Sequence, residues 1–563
     1  MLRRLSMSRR TALLTASALT ALVIVVAAAA LGPAVGGNRG TPGATTVADV
    51  SAAATPSATT VLSAAPSATA PVAPSDAPLP SPTATPTAPP SPATNPSPVP
   101  LVPIVSFWSE RRTISRADLA TLLSGESPGP SQNPVAVMVS ALDLGALAAL
   151  LHVAAFGARS MPPAGVIAFV KATPNAIGIV RADGVALGVR AIGVDGVQLF
   201  GALRTRDLAA WPLNASEPGV TSPFVTAAEW TIAAGGDVML DKAVYAQSVG
   251  AGLGVDYAWN GGTAAIDYRY CCGWGGRNLA AGHRTGGAGS VRQLFEEADL
   301  GLVNLESPEP KAFTYHSSGF TFTGDPALLA GLKDAGIDLV SLANNHVGNG
   351  GTRGITDTIG YLDELGIAHA GAGATMAAAR KPAWLAAGGL QVAVLAYCWV
   401  DPSGYVATTT TPGSSGYSIG AVLADIAAAR KAGAEYVIVM PHWGIEYTDE
   451  LTPGESVDAR RMIDAGADLV LGSHSHWFGP MAQIGPDHLV FYSLGDLVFD
   501  WTHDERTQES AVADLTFVGR SLVQVDLHPI FIIDGQPNLL DPSAGGNGVL
   551  GQVRRTSASL LGW

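Results

Sequence analysis

One short stretch, residues 467–476, constrains the fold of this chain more than any other. Its first half, Ala-Asp-Leu-Val-Leu, is an apolar run that predicts a buried strand, and Gly472, His474 and His476 follow it. Residues two apart in an extended segment point to the same side, so the two imidazoles are expected to lie together. Neutral imidazoles are good ligands for borderline divalent metals. Because the chain has only 11 His, two of them at one strand end predict a metal-binding edge of a sheet.

Four other apolar runs end in side chains of the same kind. These are Asp237 after residues 231–236, Glu306 after 300–305, Asn345 and His346 after 339–344, and His442 after 436–441. Open α/β sheets place their active sites at the carboxyl ends of their strands, so the five segments predict one shared site. Each residue also has an ordinary interpretation as a turn carboxylate, a solvated charge, a helix cap or a core histidine. The repetition of one arrangement favours the shared site.

The residue types suit a site with two metal ions. Carboxylates bridge such ions, which lie ~4 Å apart, while Asn oxygens and His nitrogens complete the ligand sets. The ion pair clamps an oxyanion and activates a water molecule. His346 follows Asn345 directly and is expected to face the leaving oxygen as a proton donor.

Six sequence blocks carry a family resemblance. They are Gly236–Leu240, Asn304–Glu306, Ala343–His346, Pro441–Gly444, Gly472–His476 and Tyr492–Asp500. Together they resemble the capsule-synthesis protein CapA family over about residues 229–510. That family is associated with poly-γ-glutamate capsule production and has the fold of the calcineurin-like metallophosphoesterases. The resemblance therefore implies an α/β fold, a metallophosphatase-like sandwich of two sheets flanked by helices.

The resemblance also assigns roles to individual residues. It implies His346 as the catalytic acid and six metal ligands: Asp237, Glu306, Asn345, His442, His474 and His476. The implied cofactor is one or two divalent ions, Mn, Zn or Fe. Two departures bear on the number of ions and on hydrolytic competence. Val238 and Met239 follow Asp237, where typical metallophosphoesterases read Asp-x-His, and Val347 follows His346, where many family members have an Asp close by.

The resemblance implies an extracytoplasmic metal-dependent protein of capsule or envelope polymer synthesis that hydrolyses phosphoester or amide bonds. The alternative is a non-catalytic polymer-binding or assembly factor of an envelope polymer synthase, which the missing imidazole after Asp237 favours. The expected partners are the membrane, an anionic polymer or phosphoester substrate, and a membrane-bound synthase. The net charge is −14, and no basic cluster follows the N-terminus, which argues against nucleic-acid binding.

The N-terminal residues predict export. Arg3, Arg4, Arg9 and Arg10 precede an apolar run at residues 12–31. A run of ~20 residues spans ~30 Å as a helix, the thickness of the hydrocarbon core. Basic residues before it favour a cytoplasmic N-terminus, so residues 1–37 are expected to be an uncleaved single-pass anchor. Small residues at 27–37 leave open a cleaved signal peptide and a secreted protein. Residues 38–103, rich in Ala, Pro, Ser and Thr, predict a disordered stalk.

Two folded parts are expected after the stalk. Residues 104–222 predict a small α/β domain, with strands at 104–108, 135–139, 166–170 and 176–180 and a helix capped by Ser115. The resemblance implies a CapA-like domain over residues 229–545. The run 171–179 is weakly similar to periplasmic phosphate-binding proteins, although a structural or docking role is favoured. The three cysteines, Cys271, Cys272 and Cys398, leave the pairing open.

Overall fold

The computed structural model describes residues 98–125, 135–153, 159–216, 223–268, 272, 278–400, 405–502 and 504–563. The predicted anchor at 1–37 and nearly all of the predicted stalk at 38–103 lie outside these ranges. Within them, no helix is both long and apolar enough to cross a membrane.

The first described part is a small mixed α/β layer around its own apolar core. Its strands are β1 (Val99–Ser106), β2 (Thr113–Ile114), β3 (Val137–Ser140), β4 (Arg159–Met161), β5 (Ile177–Arg181), β6 (Val189–Ala191), β7 (Gly193–Val194) and β8 (Asn214–Ala215). Its helices are α1 (Arg116–Ser124), α2 (Leu144–Leu151) and α3 (Pro163–Ala172). The main sheet has the order β4-β3-β5-β1-β6, with β8 also on β1, while β2 pairs with β7.

Two expectations for this part were wrong. The first strand begins at Val99 and not at residue 104, so the folded chain starts inside the predicted stalk. The run 166–170 is not a strand but lies in α3, which begins at Pro163. Val166 and Val170 stand one helical turn apart, and both are fully buried on the same face of the helix. Proline is well tolerated in the first helical turn, so it can open the helix.

The larger part holds the remaining elements. Its strands are β9 (Glu229–Val238), β10 (Thr263–Asp267), β11 (Ala281–Gly286), β12 (Leu300–Leu305), β13 (Leu339–Ser341), β14 (Ala368–Ala370), β15 (Ala372–Gly373), β16 (Ala383–Ala387), β17 (Leu390–Cys398), β18 (Gly413–Ser414), β19 (Tyr436–His442), β20 (Leu469–Leu471), β21 (Met481–Gln483), β22 (Leu489–Phe491), β23 (Asp496–Val498), β24 (Glu509–Val518), β25 (Ser521–Ile533) and β26 (Gln536–Leu540). Its helices are α4 (Lys242–Tyr245), α5 (Ser290–Glu297), α6 (Leu329–Asp334), α7 (Gly351–Leu365), α8 (Met376–Ala379), α9 (Ile419–Lys431), α10 (Pro453–Asp464), α11 (Glu505–Gln508) and α12 (Gly546–Leu561).

Two large sheets dominate this part. One has ten strands in the order β11-β10-β26-β25-β24-β9-β12-β13-β14, with β23 also on β9. The other has six strands in the order β16-β17-β19-β20-β22-β21. Both contribute to one apolar core, in which Ile232 and Leu515 of the first sheet lie in the same cluster as Val394 and Ile438 of the second. The described chain is therefore a mixed α/β protein with several sheets.

Local sequence explains the elements that frame the site. Strand β19 is buried along its whole length and is apolar up to Pro441, as expected for a parallel strand covered on both faces. Helix α10 begins with a capping box between Thr452 and Glu455. Helix α12 extends beyond residue 545, and its Val553 lies in the core that the two large sheets share.

The cysteines divide into two environments. Cys272 is disulfide-bonded. Cys398 is buried at the end of β17, and its sulfur donates a hydrogen bond to the Val400 carbonyl at 2.8 Å.

Candidate metal centre

The candidate site lies where the two large sheets bring the carboxyl ends of their parallel strands together. Strands β9, β12 and β13 run parallel in one sheet, and β19 and β20 run parallel in the other. Asp237 at the end of β9 is in register with Asn304 of β12 on one side and with Asp496 of β23 on the other. His442 forms an isolated bridge with Ser473 just beyond β20.

Five of the six predicted ligands form two overlapping triads. The first triad is Glu306, His442 and His474, and the second is Asp237, Glu306 and His476. Within each triad the three candidate ligand atoms lie within 4.8 Å of one another, and every residue is buried. Glu306 belongs to both triads, and its role as a carboxylate shared by two cations stays a prediction.

The sixth predicted ligand, Asn345, adjoins the first triad. Its Oδ1 lies 2.8 Å from Nε2 of His442, and the same nitrogen lies 3.3 Å from Oε1 of Glu306. The other ring nitrogen of His442 is 2.8 Å from the Ser473 hydroxyl. The structure thus brings all six predicted residues together, while their role as ligands stays a prediction.

The second triad is held by hydrogen bonds to Asp237. Its Oδ1 accepts from the Asn304 amide at 2.8 Å, and its Oδ2 accepts from the backbone N–H of His474 at 3.3 Å. Nδ1 of His476 lies 2.9 Å from Oδ1 of Asp496 and 3.6 Å from Oδ2 of Asp237. These contacts fix both carboxylates around one imidazole.

Within the described part of the chain, several buried polar atoms at this site have no hydrogen-bond partner. They are both carboxylate oxygens of Glu306, Nδ1 of His474 and Oδ2 of Asp496. Unsatisfied polar atoms are rare in protein interiors, and unpaired charge is more costly still. Oxygen and imidazole nitrogen donors with nothing else to bind fit a divalent cation.

The electrostatics of the site follow from its burial. Burial lowers the pKa of His442, and burial together with His442 and His476 holds the pKa of His474 well below its usual range. Both imidazoles are therefore neutral at pH 7, which is the form that binds metal.

The pKa values of the carboxylates at this site do not all shift in the same direction. Burial and the charge of Glu306 raise the pKa of Asp237 well above its usual range, and burial raises that of Asp496 to about 7. Burial also acts to raise the pKa of Glu306, but His442 and His476 outweigh it and hold that pKa below its usual range. Burial lowers the pKa of His476, yet Asp496, Glu306 and Asp237 raise it to about 10. With a pKa of about 10, His476 is protonated at pH 7 in the metal-free protein and supplies positive charge to this buried cluster of carboxylates.

The loop after β20 is conformationally strained. His474 has φ of 100° and His476 has φ of 59°, a region that non-glycine residues seldom occupy. Gly472 precedes them where the chain passes the Tyr492 carbonyl, and a Cβ there would lie 2.1 Å from that oxygen. Strain of this kind persists only where the surroundings fix it, and it concentrates at functional sites.

His346, the predicted acid, stands at the rim of the site and is half-buried. Its Nδ1 lies 3.1 Å from Oδ1 of Asn349, and that oxygen also accepts from the backbone N–H of Phe322 at 2.8 Å. Because the amide oxygen only accepts, Nδ1 carries the proton of the neutral ring. Nε2 then lies on the side of Asn345, 3.4 Å from its amide nitrogen.

Two residues of the site were missed in the sequence. Asn304 positions Asp237, and Asp496 binds the imidazole of His476. A signal for Asp496 exists, because Gly495-Asp496-Leu497-Val498 repeats the Gly-Asp-apolar pattern that begins at Gly236. Asn304 stands inside an apolar strand without a comparable signal.

A groove adjoins the site next to His346. It has a volume of about 500 Å³, and its walls include Lys311, His316, Arg353 and Asn349. The acidic residue Asp357 also lines it and accepts a hydrogen bond from the backbone N–H of Lys311 at 3.0 Å. Asn349 therefore links the groove to the predicted acid.

Comparison with known proteins gives matches over the same region. The family model of bacterial capsule synthesis proteins, PGA_cap, matches residues 231–501. The capsule biosynthesis protein CapA of Bacillus anthracis is 31% identical over 48% of this chain and 68% of its own length. The PGA biosynthesis protein CapA of Bacillus subtilis is 30% identical over 44% of this chain and 65% of its own length. The chain thus spans about two thirds of these relatives.

Solved structures give only weak matches. A 5'-nucleotidase precursor from Thermus thermophilus aligns with 58% of this chain and 58% of its own, at 12% identity and a TM-score of 0.31. An ABC-type phosphate transport receptor from Vibrio cholerae covers 21% of this chain and 55% of its own, at 15% identity and a TM-score of 0.19. Similarity at these scores supports no conclusion.

Proposed function

The chain belongs to the bacterial capsule synthesis protein family PGA_cap, and on that premise we propose that it is a metal-dependent hydrolase of envelope polymer synthesis. The observation that carries the proposal is Glu306, a buried carboxylate common to two ligand triads, whose oxygens accept no hydrogen bond from the described residues. The bonds it would cut are phosphoester or amide bonds of a poly-γ-glutamate type polymer or its precursors. Its expected partners are a membrane-bound synthase and the membrane itself.

The proposed fold is the metallophosphatase-like sandwich. Two large sheets share one core, and the candidate ligands stand at the carboxyl ends of parallel strands in both. We place this domain outside the cytoplasmic membrane, because Arg3, Arg4, Arg9 and Arg10 precede the apolar run at 12–31. The predicted anchor and stalk would then hold the folded part at the membrane surface.

The ligand sets follow from the two triads. Asp237, Glu306 and His476 would hold one cation, and Glu306, His442 and His474 would hold the other, with Asn345 beside them. Bound Mn, Zn or Fe would polarise the scissile phosphoryl or carbonyl group and lower the pKa of a water nucleophile. Asp496 orients the imidazole of His476 through its Nδ1. Such partners of metal-ligating histidines fix the ring and raise its basicity.

His346 would act on the leaving group. Asn349 holds its Nδ1–H, which directs Nε2 towards the ligands. A protonated Nε2 can then deliver a proton to the departing oxygen or nitrogen, while Nδ1 remains bound to Asn349. The groove beside it, with Lys311 and Arg353 on its walls, suits a substrate that carries negative charge.

The test compares two histidines of this site with a third outside it. Metal-loaded full-length chain is assayed with Mn²⁺ on bis(p-nitrophenyl) phosphate and on γ-linked glutamate polymer. His346→Ala should keep its metal but lose turnover by about 10²- to 10⁴-fold, the usual size of a general-acid contribution. His474→Ala should lose metal and turnover together. His283→Ala, at an exposed position on β11, should change neither.

A second function has one observation in its favour. Met239 occupies the position where typical metallophosphoesterases have a metal-binding imidazole, and it is buried beside β23, donating its N–H to the Val498 carbonyl. The chain does not supply an imidazole ligand at that position, and the thioether of a buried Met is a poor ligand for these ions. If the wild type turns over neither substrate while metal-loaded protein still binds polymer, the non-catalytic polymer-binding or assembly factor is the function.

A further inference from the structure

A second groove lies away from the metal centre, between the small α/β layer and the C-terminal helix. It has a volume of about 810 Å³. Four basic residues from three segments of the chain line it: Arg111 and Arg112 after β1, Lys171 at the end of α3, and Arg554 on α12. Glu110, which is exposed, is the acidic residue on its wall.

Three of these cations have no partner carboxylate in the described ranges of the chain. Arg112 forms an ion pair with Asp526. Among the described residues, by contrast, Arg111, Lys171 and Arg554 take part in no ion pair of 4 Å or less. Basic residues without acidic partners are unexpected in a chain of net charge −14, where acidic residues outnumber basic ones.

The position of Lys171 adds a desolvation penalty. Its side chain is half-buried and packs over Gly188, where a Cβ would lie 2.3 Å from the lysine Cε. Burial lowers the pKa of Lys171 accordingly. Three like charges that line one groove repel one another, and a bound anion would relieve that repulsion.

The size of the groove decides between a single small ion and a longer ligand. Sites for small molecules commonly have volumes of about 300–1,000 Å³, and this groove falls at the upper end of that range. One phosphate or carboxylate group would leave most of it empty and would not reach cations on three separate elements. An extended ligand with several negative groups matches both the volume and the spread of charge.

We propose that this groove binds a strand of anionic polymer through Arg111, Lys171 and Arg554, and that the small α/β layer thereby serves as a polymer-holding module. Guanidinium groups bind carboxylates in bidentate fashion, and the lysine ammonium adds a point charge. The choice of a carboxylate-bearing polymer rests on the function proposed above, whereas the anion-binding character of the groove does not. A strand held here would be retained while the metal centre acts on another part of it.

The test measures binding without metal, so that the metal centre cannot contribute. Fluorescein-labelled poly-γ-glutamate is titrated with full-length chain in EDTA at low salt, and fluorescence anisotropy is followed. Arg554→Gln and Lys171→Gln should each weaken binding by about tenfold, as expected for a charge-assisted contact. Arg555→Gln is the matched control, because this neighbouring exposed residue of α12 does not line the groove. In a separate measurement on metal-loaded protein without EDTA, the metal content of all three variants should equal that of the wild type.

A salt titration and a second polymer make the outcome decisive. Binding should weaken steeply with added salt, because it depends on exposed charges. If Arg554→Gln binds as tightly as Arg555→Gln, the groove does not hold the polymer and the proposal is overturned. Inorganic polyphosphate is titrated in parallel, and binding of polyphosphate without binding of poly-γ-glutamate overturns the choice of a carboxylate polymer. Because no turnover is measured, loss of hydrolysis elsewhere cannot imitate either result.

Discussion

Glu229, the first residue of β9, should make this protein less stable as the pH rises. Its side chain is buried, and neither carboxylate oxygen has a hydrogen-bond partner among the residues that the structure describes. Burial raises its pKa to about 8, and Arg204 at 3.4 Å only partly opposes this. Arg204 also forms an ion pair with Asp299, at the shorter distance of 2.7 Å, so its charge is divided between the two carboxylates.

The sign and size of this pH effect follow from the linkage between proton binding and folding. Glu229 is protonated in the folded state up to about pH 8, while in the unfolded chain it ionises near pH 4.3. Between these values the folded state holds one more proton, so the free energy of unfolding falls by about 1.4 kcal/mol per pH unit. Below this window the group has no effect on the pH dependence, and above it the loss is complete. From pH 5 to pH 9 the loss amounts to about 4 kcal/mol.

Glu229→Gln tests this reasoning, because the amide is isosteric and does not titrate. The free energy of unfolding is measured by urea denaturation of both proteins at pH 5 and pH 9. The wild type should lose about 4 kcal/mol more than the variant over this interval, and Glu229→Gln should be the more stable protein at pH 9. Equal pH dependence of the two proteins would refute the claim that the carboxyl group of Glu229 is protonated in the folded state.

Three further predictions concern the site and the topology. Asp496→Asn removes the carboxylate that binds Nδ1 of His476, so the metal affinity measured by competition with a chelator should fall by about 10- to 100-fold; unchanged affinity would mean that Asp496 does not support the ligand. Gly472→Ala places a Cβ 2.1 Å from the Tyr492 carbonyl, so thermal unfolding should occur at lower temperature and the metal content should drop; a stable, metal-replete variant would show that the loop before His474 can move. Protease added to intact cells should cut within residues 38–103, and full protection of residues 104–563 would contradict the predicted topology.

The site could be predicted in large part from the sequence because each ligand-type residue follows its own apolar run. Glu306 directly follows β12 and His442 ends β19, so their positions depend on local pattern and on the rule that strand ends share an edge. Local signals also located the start of α1, where Ser115 accepts from the backbone N–H of Asp118, as its capping pattern predicted.

The failures have physical causes. Residues 166–170 are apolar at every position, so their pattern fits a strand and a buried helix equally well, and only the tertiary contacts of Val166 and Val170 decide. Asp496 joins the site through pairing of β23 with β9, a contact between distant parts of the chain. Strand pairing over such separations leaves no trace in local periodicity.

Metal content of the purified full-length chain tests the central claim most directly. Glu306→Gln removes the one carboxylate common to both triads, whereas Glu309→Gln changes a neighbouring buried carboxylate that belongs to neither. Burial raises the pKa of Glu309 well above its usual range, so that substitution replaces an already neutral group. After reconstitution with Mn²⁺ and gel filtration, elemental analysis should find one or two ions in the wild type and in Glu309→Gln, and almost none in Glu306→Gln. A wild type without metal, or Glu306→Gln with as much metal as the wild type, would contradict the account.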